Sequence, residues 1–216
     1  MIARHKSKTL LVSEKRKFIF IHNYKVGGTS VRNLLSGYQS EVYRYLSNIV
    51  WFANPGLREK SKLCLSKHVV YKKVKEVYGD EIEAYTCFGF VRNPWDWEVS
   101  KYEYTMQNTR HFEHEKIKAM KDFSEYLQWR KDNYKTQSSF FQNENGSLRE
   151  VEILKIEDSD KVNEYLSGLI GHEVQLPKKN TTSRNKYQAY YKNEADIEVI
   201  RSIYEEDIAR FNYSFE

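Results

Sequence analysis

Residues 18–30 read FIFIHNYKVGGTS, and this stretch sets the expectation for the whole fold. Phe18, Ile19, Phe20 and Ile21 form a short apolar run of the kind shown by a strand buried on both faces. Gly27 and Gly28 follow, able to take positive φ and to bring bare backbone close to a ligand. Thr29 and Ser30 then place hydroxyl and N–H groups at the start of a helix, where an anion is favoured. Lys25 adds a positive charge beside them. A strand, Lys-x-Gly-Gly-Thr-Ser and a helix together predict a phosphate cradle; the plain alternative is a strand–turn–helix corner with no ligand.

The cradle is not one of the common ones. A Walker A loop puts four residues between its first glycine and Gly-Lys-Ser/Thr, with the lysine after the loop. Here Lys25 precedes the glycines, and no third glycine follows at the Rossmann spacing.

Residues 85–104, YTCFGFVRNPWDWEVSKYEY, repeat the grammar of an apolar strand, polar residues and a helix. Arg92 sits at the end of the strand, and Pro94 suits the first helical turn because its missing N–H would be unpaired there anyway. The helix carries Ser100 about two turns along. An arginine fork plus a serine hydroxyl suits a second phosphate. Two such sites on neighbouring strand ends imply a nucleoside with phosphates at both ends.

The segments KVGGTS (25–30) and FVRNPWDWEVSKY (90–102) resemble the 5′-phosphosulfate loop and the 3′-phosphate motif of sulfotransferases that use 3′-phosphoadenosine-5′-phosphosulfate (PAPS). The resemblance is closest to the carbohydrate, membrane-type branch, whose members show Pro-Lys-Thr-Gly-Gly-Thr-Ser and Arg-Asn-Pro-Trp/Tyr-Asp-Arg-x-x-Ser. The step from Arg92 to Ser100 matches that spacing, and NTTSRNKYQAYY (180–191) with IYEEDIARFNY (203–213) resembles the closing segment. The likeness runs from about Lys17 to the end and is thin over 38–65 and 105–150.

This resemblance implies a P-loop-like fold, PAPS as cofactor, PAP as product, and a hydroxyl acceptor, foremost a carbohydrate. Lys25 would donate to the oxygen bridging sulfur and phosphorus; Gly27, Gly28, Thr29 and Ser30 would hold the 5′-phosphate. Arg92 and Ser100 would hold the 3′-phosphate, while Ser183 and Arg184, in KKNTTSRNK (178–186), either close over the cofactor or form an exposed basic loop. A histidine or glutamate commonly sits in the family's interval occupied here by His68, which makes His68 the candidate base; a polar loop histidine is the alternative. His22 competes and is read as orienting the loop. Three positions depart from the pattern: Tyr24 for proline, Val26 for threonine, and Trp97 where arginine or lysine is frequent.

At 216 residues the chain is read as one domain over 17–216 behind an extension, flexible or edge-pairing, at 1–16. A net charge of +5 suits an anionic cofactor or acidic glycan, and no basic stripe or known module points to nucleic acid. Cys64 and Cys87, the only cysteines, predict no structural disulfide and a reducing compartment. No run approaches the ~18 apolar residues of a membrane span, so a cytoplasmic protein without membrane contact is expected. His111 and His114, with Glu113 and Glu115, superficially suggest a metal site; a solvated charged segment is preferred, and the chemistry requires no metal.

Strands are expected over 17–22, 86–91 and 151–156, and helices over 29–37, 69–78, 94–108, 123–132, 158–169 and 194–209. Their alternation predicts an α/β fold with a central parallel sheet flanked by helices, the ligand lying at the strands' carboxyl ends. Three rival functions remain: a P-loop kinase-like enzyme binding ATP with Mg²⁺, a catalytically silent sulfotransferase-like protein binding an anionic glycan, and a basic nucleic-acid binder.

Overall fold

The structure is a computed structural model that describes residues 8–39, 41–57, 60–177 and 185–216, without the side chains of 41–44, 48, 51 and 55. Its sheet has four strands in sequence order, β1 (Leu11–Ser13), β2 (Phe18–Ile21), β3 (Thr86–Val91) and β4 (Glu152–Lys155). β2 and β3 run parallel, with Phe18 opposite Thr86 and Ile21 opposite Gly89. β3 and β4 are also parallel, from Phe88 opposite Glu152 to Val91 opposite Lys155. The fold class is therefore α/β, but the sheet is mixed rather than wholly parallel.

The correction comes from β1, which pairs antiparallel with β2 from Leu11 opposite Phe20 to Ser13 opposite Phe18. Only residues 14–17 separate the two strands, a hairpin connection far shorter than the dozen or so residues of a parallel crossover. Leu10, Leu11 and Val12 are buried, so this part of the 1–16 extension supplies an edge strand and core side chains.

The helices are α1 (Gly28–Leu35), α2 (Glu41–Ala53), α3 (Tyr71–Tyr78), α4 (Pro94–Gln107), α5 (His114–Lys118), α6 (Phe123–Arg130), α7 (Ser159–Ile170), α8 (Glu194–Ile203) and α9 (Glu205–Phe211). Capping explains many of the starts. Asp122 accepts from the Glu125 N–H, Asp158 from Lys161 and Asn193 from Asp196, each giving an orphan first-turn donor a partner. The helix expected over 194–209 is two helices, broken at Tyr204. α2 fills a stretch with no predicted element, because EVYRYLSNIVWFA is rich in aromatic and β-branched residues that propensity assigns to strands.

Contacts divide the chain into two compact units, Met1–Val91 with Ser138–Lys179 and Arg92–Gln137 with Asn180–Glu216. The first holds the sheet and α1, α2, α3 and α7. Phe20 stacks on Phe88 at 5.2 Å, Phe18 meets Phe88 edge-on at 6.0 Å, and Tyr165 of α7 covers Phe88 at 5.4 Å. Each fully buried ring of this kind contributes about 1.5–3 kcal/mol of transfer free energy.

The second unit holds α4, α5, α6, α8 and α9 around a buried charge. Glu98 is fully buried and accepts from the hydroxyls of Tyr126, at 2.5 Å, and Tyr204. Its carboxylate meets Lys101 at 2.5 Å and the Nε of Arg130 at 3.1 Å. Burial works to raise this carboxyl, but Lys101 and Arg130 and the hydrogen bonds outweigh it and hold the group at about 2. Trp97, where the resemblance places a basic residue, is buried and packs edge-on against Tyr204 at 5.6 Å, with the Lys101 ammonium 3.5 Å from its ring centre.

Candidate functional site

The loop from β2 to α1 is the site the sequence points to first. Lys25 has φ +57° and Gly27 has φ +72°, two left-handed residues separated by one. For lysine that conformation costs roughly 1–2 kcal/mol, and strain of this sort concentrates at functional loops. Gly27 takes it without penalty and starts α1, its carbonyl accepting from Ser30 N–H at 2.9 Å and Val31 N–H at 3.4 Å. Thr29 is exposed and Ser30 buried in the first turn, while Val26 is fully buried and anchors the loop to the core.

Gly28 is held to glycine by His22. A Cβ at position 28 would sit 1.9 Å from His22 Nε2. The imidazole cannot readily swing away: it is 4% exposed, stacked on Phe20 at 5.2 Å and 4.4 Å from His68. Burial, then His68, Arg32 and Lys67, push its pKa well down, so the ring is neutral at pH 7. Its Nδ1 has no hydrogen-bond partner among the described residues.

His68 is brought to this loop from the segment before α3. Its Nδ1 lies 2.8 Å from the carbonyl oxygen of His22. A carbonyl can only accept, so Nδ1 carries the proton and donates, and the neutral ring keeps its lone pair on Nε2. Burial drives its pKa down to about 4 against the opposing pull of that hydrogen bond, with Lys67 and Arg32 adding to the fall. Its ring stacks on Tyr24, the residue before Lys25, at 4.1 Å and 26°. Both residues assigned to chemistry are thus at one loop of the first unit.

A small cleft of 120 Å³ opens at the start of α1, between Gly27 and Ser30 on one side and Ser159 and Asn163 of α7 on the other. It is smaller than the ~300 Å³ at which small-molecule pockets usually begin.

In the second unit Arg92 lies just before the N-cap of α4, and Asp96 and Ser100, four residues apart, share one face of that helix. Arg92 donates to Asp96 Oδ2 from Nε at 2.8 Å and Nη2 at 2.5 Å, so an anion at Arg92 shares the guanidinium with that carboxylate or displaces it. The main chain of Arg92 is clamped by Gln137, whose Oε1 accepts from Arg92 N–H at 2.9 Å and whose Nε2 donates to Arg92 C=O at 2.6 Å. Asp207 of α9 in turn accepts from the Gln137 N–H at 2.5 Å. Asn93 caps α4 by accepting from Trp95 N–H, and Ser100 is partly exposed. Gln137 carries no motif and is not legible in the sequence, while Asp207 lies in the 203–213 stretch that the resemblance covers, without a role assigned there. Ser183 and Arg184 lie outside the described residues.

The remaining candidates have structural places. His114 is buried and its Nδ1 lies 2.8 Å from the Thr105 carbonyl in the last turn of α4. Cys64 and Cys87 are free buried thiols, and burial, with Glu150 nearby, pushes Cys87 up to about 12.

Fold and loop together define an α/β chain whose first parallel strand ends in a strained, glycine-bearing turn onto a helix. Comparison with known families adds no name: no family model matches the chain, and no curated protein matches it in sequence. Among the described residues no helix is long and apolar enough to cross a membrane.

Proposed function

We propose that the chain is a PAPS-dependent sulfotransferase with a P-loop-like phosphosulfate loop, moving a sulfuryl group to a hydroxyl of a carbohydrate and releasing PAP. The observation that carries this reading is the loop itself. Lys25 is held in a left-handed conformation one residue before a glycine pair that opens a helix, and a neutral histidine is stacked on Tyr24, the residue before it.

Sulfuryl transfer needs a proton removed from the acceptor and negative charge stabilised on the leaving phosphate. His68 suits the first task, because its neutral ring leaves Nε2 to accept a proton. Lys25 suits the second by donating to the bridging oxygen as the S–O bond breaks. Gly27, Gly28, Thr29 and Ser30 offer backbone and hydroxyl donors to the 5′-phosphate. Arg92 and Ser100 are assigned to the 3′-phosphate on the strength of their motif.

The Walker A order is absent, which weighs against a kinase-like reading with ATP and Mg²⁺. The test is transfer of label from sulfur-labelled PAPS to saccharides. Wild type should transfer it, and Lys25→Ala should be slower by roughly 10²–10³ if the lysine meets charge that develops in the transition state. Equal rates in the two proteins would remove Lys25 from the chemistry.

A further inference from the structure

α2 keeps a small polar residue inside and large apolar residues outside. Ser47 is fully buried, its Oγ 3.1 Å from Oγ1 of the buried Thr9. Tyr45 and Phe52 are 68% and 67% exposed, and Leu46 and Ile49 are 42% and 44% exposed. At about 3.6 residues per turn, Tyr45, Ile49 and Phe52 fall within about 60° of one another, and Ser47 lies on the opposite side. A surface helix of a chain that stands alone has the reverse arrangement, with its apolar stripe turned to the core. The four side chains leave on the order of 400 Å² of apolar surface open, a size at which an exposed patch is often functional.

We infer that this stripe is a homodimer face, on which two copies of the chain pair α2 against α2, antiparallel about a two-fold axis. The order of the side chains is self-complementary. Tyr45 and Phe52 stand four residues before and three after Ile49, so Ile49 meets Ile49 near the axis and each Tyr45 meets the Phe52 of the other copy. A two-fold contact requires this reciprocity, and the two aromatic pairs close its ends. Two stripes bring together about 800 Å² of apolar surface. A homodimer interface is about 65% apolar, so the whole contact is about 1,200 Å², at the lower edge of stable interfaces. The dissociation constant is therefore of about micromolar order. A membrane surface suits the stripe less well. Helices that lie on membranes are rich in lysine and arginine, whereas EVYRYLSNIVWFA carries one arginine and no lysine.

The experiment is sedimentation velocity of the full chain over roughly 1–200 µM, which brackets a dissociation constant of that order. Wild type should pass from monomer to dimer across this range. Ile49→Glu and Phe52→Glu should each weaken the dimer by roughly 100-fold or more, because every substitution acts twice across the two-fold. Phe112→Glu, at a ring 87% exposed in the second unit, should leave it unchanged. Melting curves show that each variant is folded. Ile49→Cys should join two copies through a disulfide on oxidation with diamide, while wild type, whose two cysteines are buried, should not.

A wild type that stays monomeric throughout, or a dimer that survives both Ile49→Glu and Phe52→Glu, would overturn the assignment. A dimer in which Ile49→Cys gives no cross-link would overturn the antiparallel pairing. A monomer that sediments with vesicles of phosphatidylserine and phosphatidylcholine would overturn the dimer and give the stripe to a membrane surface.

Discussion

The Nδ1 of His68 lies 2.8 Å from the carbonyl oxygen of His22, a bond that joins the segment before α3 to the end of β2. It sets the tautomer of His68 and holds its ring over Tyr24, so one hydrogen bond orders both the candidate base and the loop before Lys25. Replacing His68 by alanine should lower kcat by roughly 10²–10⁴ and, through the loosened loop before Lys25, weaken PAP binding by a much smaller factor. Single-turnover transfer with labelled PAPS, alongside PAP titration, separates the two effects.

The pH dependence follows from the same ring. With its folded pKa at about 4 and its ordinary value at 6.5, His68 binds a proton more readily in the unfolded chain. Its contribution to stability is complete above pH 6.5 and is lost as pH falls from there through about 4, amounting to about 3 kcal/mol at most. NMR titration of the imidazole should show it neutral at pH 6, and His68→Ala should flatten the acid side of the stability curve. A titration midpoint near 6.5 would contradict this.

Gly28 and His22 form a pair in contact. Gly28→Ala forces a methyl group against an immobile buried ring and should destabilise by about 1–3 kcal/mol. His22→Ala vacates that space, so the double variant should lose less than the two single losses added. Urea denaturation of the four proteins measures the coupling. Strict additivity would show that the loop yields elsewhere.

Glu98 is the charge on which the second unit is built. Glu98→Gln keeps the shape but leaves Lys101 and Arg130 without their carboxylate, at a cost of about 3–5 kcal/mol. Since the folded carboxyl is held at about 2 against an ordinary 4.5, its stabilisation is present above pH 4.5 and is lost as pH falls through 2. Thermal melts from pH 7 to pH 2 should therefore fall less steeply in the variant.

The parallel core was legible because FIFI and TCFGFV are continuous apolar runs that only a doubly covered strand tolerates. β1 was harder to see, because Leu10, Leu11 and Val12 give too short a run to reveal a partner and a hairpin can fold either inward or away. His68 could be nominated by residue type and interval, but its bond to His22 and its stack on Tyr24 join positions far apart in the chain. No local pattern encodes such contacts. Gln137 is the clearest case: a glutamine in a loop has no periodicity and no motif, yet it clamps both main-chain polar groups of Arg92.

That clamp gives a further expectation. Gln137→Ala should cost about 1–3 kcal/mol by leaving the Arg92 N–H and C=O unpaired, and should weaken PAP binding with Lys25 and His68 untouched. Isothermal titration with PAP and urea denaturation read the two losses separately. Unchanged PAP affinity in a destabilised variant would confine Gln137 to a structural role.

The melting temperature of the protein with PAP, set against ATP with Mg²⁺, ADP and AMP, tests most simply whether the chain binds the sulfotransferase cofactor. At about 100 times its dissociation constant a ligand adds about 2.7 kcal/mol, a shift that is easily seen. PAP should stabilise the protein more than the other nucleotides do, and Arg92→Ala should lose that stabilisation. No response to PAP, or an equal response to AMP, would contradict this.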